Sequence, residues 1–123
     1  MEYGINSAYR EIDRQYVAID SLNKQLKATN DSVAFCKKTP TNCAQESQLT
    51  LVSAGIGDNQ SELSHIRNDV ALIVRDLAKI DPSLPKSQGY DDQIKAINDR
   101  LAATNQRIIT SAKLISQLTT VKS

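Results

Sequence analysis

The chain is predicted to be all-α, with three long helices folded up, down and up into one elongated antiparallel bundle with coiled-coil-like seams. Three observations predict this. Apolar residues recur at alternating spacings of three and four along three separate stretches, and proline-containing breaks separate those stretches. The apolar vocabulary is also almost purely aliphatic: hydrophobic residues make up 40% of the 123 positions, aromatic residues only 4%, and Trp is absent. Such a core suits helix seams better than a sandwich, and the length suits one domain spanning residues 1–123.

The first stripe is Ile5, Ala8, Ile12, Gln15, Ile19, Leu22, Leu26, Thr29, Val33 and Cys36, of which eight are apolar. It stops at KKTPTN, where Pro40 cannot continue a helix and biases Thr39 out of the helical region. Helix one is therefore expected over about residues 5–36, a rod of nearly 50 Å at about 1.5 Å per residue.

The second stretch contains a conflict. Ser53-Ala54-Gly55-Ile56-Gly57-Asp58-Asn59 resembles a turn, and each interior Gly costs a helix about 1 kcal/mol relative to Ala. Yet Leu49, Val52, Ile56, Asn59, Leu63, Ile66, Val70, Ile73, Leu77 and Ile80 hold one phase straight through the pair, and an inserted turn would shift it. Phase favours a single helix over about 44–80, ended by Asp81-Pro82. A true turn at Gly55–Gly57 would instead make four helices. Helix three, about 90–121, opens on Asp91 and Asp92, which suit the positive end of a helix dipole, and carries the stripe Ile94, Ile97, Leu101, Thr104, Ile108, Ser111, Ile115 and Leu118.

Folded at the two breaks, the stripes register in layers. Ile12 meets Val70 and Leu101, Ile19 meets Leu63 and Ile108, and Leu26 meets Ile56 and Ile115. The polar exceptions fall between them: Gln15 with Ile66 and Thr104, then Leu22 with Asn59 and Ser111. Gln15, Asn59, Thr104 and Ser111 thus form a polar waist. It reads either as a small-ligand pocket or as seam polarity that fixes register at some cost in stability.

Charge excludes some functions. Fifteen Lys and Arg stand against fourteen Asp and Glu, scattered in both signs, which leaves no basic footprint for nucleic acid. No apolar run approaches the roughly 18–20 residues of a membrane span, so this segment is not expected to insert in a bilayer. If Met1 is a cloning start, there is room for a removed leader or membrane anchor upstream of Glu2. The lone His65 sits on a polar side, and Asp69, Asp76, Asp91 and Asp92 form no acid and base pair. No enzyme activity, cofactor or metal is expected.

Cys36 and Cys43 flank the first break. Seven residues apart on one helix they would lie roughly 10 Å apart, beyond the roughly 7 Å Cα limit for a disulfide. A reversal at Pro40 brings them into range, which predicts a Cys36–Cys43 disulfide contributing about 2.5 kcal/mol by loop entropy, and with it an oxidising, extracytoplasmic compartment. Roughly 30% of the chain is Ser, Thr, Asn or Gln, the uncharged polar surface common in exported helical proteins.

Candidates for partner binding lie on helix one. Tyr9 and Tyr16 flank its seam, wrapping the core or offering an aromatic strip, while Val17 and Phe35 point away from it. Leu72, Val74, Ile109, Leu114 and Val121 broaden the other apolar faces toward self-association or a partner helix. The expected function is a periplasmic or secreted helical module that binds another protein or forms the sensing domain of an anchored receptor. The alternatives are a cytosolic coiled-coil adaptor or secretion chaperone with reduced thiols, and a small-ligand binder at the waist.

Overall fold

A computed structural model describes residues 4–39, 46–80, 83 and 89–118. It contains three helices, α1 (Ile5–Lys38), α2 (Glu46–Leu77) and α3 (Tyr90–Ser116), and each packs against both others. No strand occurs among the described residues. The result is the three-helix bundle that the periodicity predicts.

Each boundary has a local cause. Extended backbone at Gly4 precedes α1. At the other end Lys37 and Lys38 face the negative dipole terminus, and the Thr39 N–H closes the last turn on the Phe35 carbonyl at 2.9 Å, one residue before Pro40. After Leu77 the chain tightens into a turn, in which the Lys79 and Ile80 amides donate to the Asp76 and Leu77 carbonyls and Ile80 stays buried. Gly89 enters α3 at φ +90°, the left-handed region where an L side chain is strained. Helices two and three are thus shorter than expected at their C-terminal ends: α2 stops at Leu77 and α3 at Ser116 rather than near residues 80 and 121. Residues 44, 45 and 119–123 lie outside the described residues.

All three stripes are buried. Ala8 to Cys36 on α1, Leu49 to Leu77 on α2 and Ile94 to Ile115 on α3 form one core, with Ile5 and Leu118 at its margins. Bonds between helices fix their directions. Gln15 meets Thr104, so α1 and α3 run parallel with Gly4 beside Tyr90, whereas Arg67 meets Asp20 and Arg100 meets Asp76, so α2 runs antiparallel to both. The polar layer of Gln15 and Thr104 forms as the registration predicts.

The four-helix alternative is corrected: α2 passes through Gly55 and Gly57 without a turn. Burial of Val52, Ile56 and Asn59 in one phase outweighs the helix propensity lost at two glycines. The two glycines differ in kind. A Cβ on Gly55 would stand 2.7 Å from Leu118 Cδ2, whereas one on Gly57 would meet nothing within 4 Å. Gly57→Ala is therefore expected to stabilise the bundle by about 0.5–1 kcal/mol in a urea melt. Gly55→Ala should gain less, because Leu118 must move.

Candidate functional site

The predicted polar waist is not one pocket. It separates into two pairs, with the aliphatic layer of Ile19, Leu63 and Ile108 between them. Gln15 is long enough to cross the seam: its amide donates to the Leu101 carbonyl at 2.9 Å and to Glu11 at 2.7 Å, and its carbonyl oxygen accepts from the Thr104 hydroxyl at 2.6 Å. Both amide hydrogens and the carbonyl oxygen thus have partners inside the bundle, where the residue is fully buried. The shorter Asn59 cannot cross and folds back, donating to the Gly55 carbonyl of its own helix at 2.8 Å. With Ser111 it lines an open groove of about 420 Å³ between α2 and α3.

Charge pairing that the sequence alone did not suggest organises the same α2–α3 edge. Glu62, Asp69 and Asp76 recur every seven residues on α2, and Arg100 and Arg107 do so on α3. Arg100 pairs with Asp76 at 2.8 Å, and Arg107 bridges Asp69 at 2.5 Å and Glu62 at 2.8 Å. Antiparallel heptads of opposite sign are a signal that could have revealed this ladder. Hydrogen bonding to Arg107 holds the Glu62 carboxyl below its usual range, Arg100 does so for Asp76, and Arg14 for Glu11; the Arg107 guanidinium is raised by Glu62 and then Asp69.

A depressed carboxyl pKa contributes stability that is complete above the unfolded value, near pH 4, and is lost as pH falls through the folded value. The melting temperature should therefore stay level from pH 7 to about 5 and decline below about 4. Arg107→Met should cost about 1 kcal/mol at neutral pH, since the groups are partly exposed, and this cost should shrink in 1 M salt. Lys95→Met, which breaks only the exposed pair with Asp99, should cost less than about 0.5 kcal/mol.

The α1 candidates divide. Tyr16 packs on the core, with the Arg67 guanidinium 5.0 Å from its ring centroid and bonded onward to Asp20. Tyr9 is 37% exposed, Val17 69% and Phe35 57%. Of the surplus apolar residues, Val74 packs on the core, Leu72, Ile109 and Leu114 are partly exposed, and Val121 lies outside the described residues. Leu51, which the pattern did not single out, is 72% exposed. Cys36 is fully buried near the end of α1, while Cys43 lies outside the described residues.

Among the described residues no group of three His, Cys, Asp or Glu could hold a metal ion, and no helix is long and apolar enough to cross a membrane. Among the described residues, fold and site together define a three-helix bundle with an internal polar bridge and an open groove. No family model, curated protein or solved structure matches the chain.

Proposed function

We propose that the bundle is a non-enzymatic, extracytoplasmic interaction module that binds another protein through the outer face of α1, standing alone or as the exposed sensing domain of an anchored receptor. The exposure of Val17 and Phe35 carries this reading. They are eighteen residues apart, which is five whole helical turns and about 27 Å, so they share the face opposite a seam that is already buried. Neither contributes to the core, which leaves both side chains available to a partner, and aromatic residues such as Phe35 are enriched at partner surfaces.

The compartment rests on the Cys36–Cys43 disulfide. Such a bond would staple α1 to the segment leading into α2 and would place the protein outside the reducing cytosol. Photo-crosslinkers at positions 17 and 35 in the producing cell should capture one discrete partner, with capture lost in Val17→Glu or Phe35→Glu. Crosslinks no stronger than those from exposed Lys24 would overturn the partner face. Intact mass of the native protein should fall two daltons below the reduced value; two free thiols would instead favour the cytosolic adaptor or secretion chaperone.

A further inference from the structure

The α2–α3 ladder stops where its next rung should be. Arg100 meets Asp76 and Arg107 meets Asp69, so the following heptad step sets position 114 against Glu62. Position 114 is Leu, and Glu62 turns back to share Arg107. One heptad farther along α2, the acidic series ends at Gly55, against which Leu118 lies. The groove opens at this interruption.

Its floor carries polar groups that the bundle leaves unused. Ser111 is only 2% exposed and Asn59 6%. Among the described residues, the Ser111 hydroxyl and the Asn59 carbonyl oxygen have no hydrogen-bond partner, yet neither is a sealed, unsatisfied atom. Two nine-tenths-buried residues therefore turn open polar atoms into the cavity that they line. Register does not need them, because the Gln15–Thr104 bridge already supplies it two layers away. Both atoms are open to the groove, so a ligand that enters it can take the place of water as their hydrogen-bond partner.

The lining selects the ligand. Asn59 offers an acceptor, Ser111 either sense of hydrogen bond, and the α2 rim carries Asp58 and Glu62. Asp58 has no ion-pair partner among the described residues, and the nearby guanidinium of Arg107 is committed to two carboxylates. Leu114 and Leu118 add methyl groups on the opposite wall. Negative charge stands only on the α2 side, while the α3 side mixes the methyl groups of Leu114 and Leu118 with the uncharged Thr110 and Gln117 and carries no cation, a lining that fits a donor-rich cation with a compact apolar body. The volume of about 420 Å³ suits a small molecule.

We propose that this groove binds a small organic ammonium ion, its charged head between Asp58, Asn59 and Ser111 and its apolar part against Leu114. The site is a property of the bundle in either compartment and is independent of the α1 partner face.

The test is amide-resolved NMR of the full chain titrated with 2-phenylethylamine, with 3-phenylpropionate as the matched anion. The amine should shift the amides of Gly55, Asn59, Ser111 and Leu114 saturably, and the anion should not. Asp58→Asn should weaken amine binding about tenfold, the loss of one charge-assisted contact. Leu114→Arg, an exposed position, should abolish binding without loss of helical signal, by continuing the ladder and setting a cation over the groove. No saturable shift at those amides would overturn the proposal, as would equal shifts from the anion, or undiminished binding by Leu114→Arg with its helices intact.

Discussion

Leu63→Ala is expected to destabilise the bundle by about 2–5 kcal/mol, the largest effect of any single substitution considered. Leu63 is fully buried at mid-length on α2, in the layer that the registration assigns to Ile19 and Ile108, and both of those are buried too. Removing its branched end withdraws packing from all three helices at once, and long rods locked by neighbouring layers relax poorly into the space. Against a typical total stability of about 5–15 kcal/mol, that is a large fraction, and the urea midpoint should fall accordingly. Leu51→Ala on the same helix is the control. That side chain is 72% exposed, so its loss should change stability by less than about 0.5 kcal/mol. Similar losses from the two substitutions would show that the seam is not the core.

Thr104→Val should cost about 1–3 kcal/mol although it replaces a buried hydroxyl with a methyl of the same shape. The cost arises on the other helix: Gln15 loses the donor to its carbonyl oxygen, at a site with no access to water. Gln15→Leu behaves differently. The Thr104 hydroxyl already lies 3.0 Å from the Leu101 carbonyl and can turn its proton there, so no polar atom is stranded. The double variant Gln15→Leu with Thr104→Val should recover most of the single Thr104→Val loss. A double-mutant cycle by chemical denaturation measures this coupling directly, and simple additivity of the two changes would disprove the bridge.

Both expectations concern residues whose placement could be read from the sequence. The phase of Ile56, Asn59 and Leu63 carried α2 through its glycines because burial of a long stripe outweighs local propensity at two positions. The pairing of Gln15 with Thr104 followed from layer counting alone. What the sequence could not show is how far each polar side chain reaches. Gln15 and Asn59 occupy equivalent seam positions and look interchangeable on a helical projection. One methylene separates an amide that crosses to α3 from one that returns to Gly55, and that difference splits the waist into a closed bridge and an open groove. Tyr9 and Tyr16 were likewise equivalent by spacing. Tyr16 settles on the core beneath Arg67, which comes from another helix and has no local signature. The groove was obscured too because Leu114 on its wall stands where the arginine series of α3 would continue, legible only once Arg107 and Arg100 are seen as a series.

A heptad repeat is a ruler with identical divisions and no zero mark. Displace α3 by one division, and Arg107 can take the place of Arg100 opposite Asp76, while Leu and Ile exchange for Ile and Leu in the aliphatic layers with little penalty. Gln15 would lose its cross-helix acceptor bond, meeting Ile97 or Ser111 where Thr104 had been. The bridge between Gln15 and Thr104 is that zero mark, and a few atoms at mid-length set the alignment of rods about 40–50 Å long.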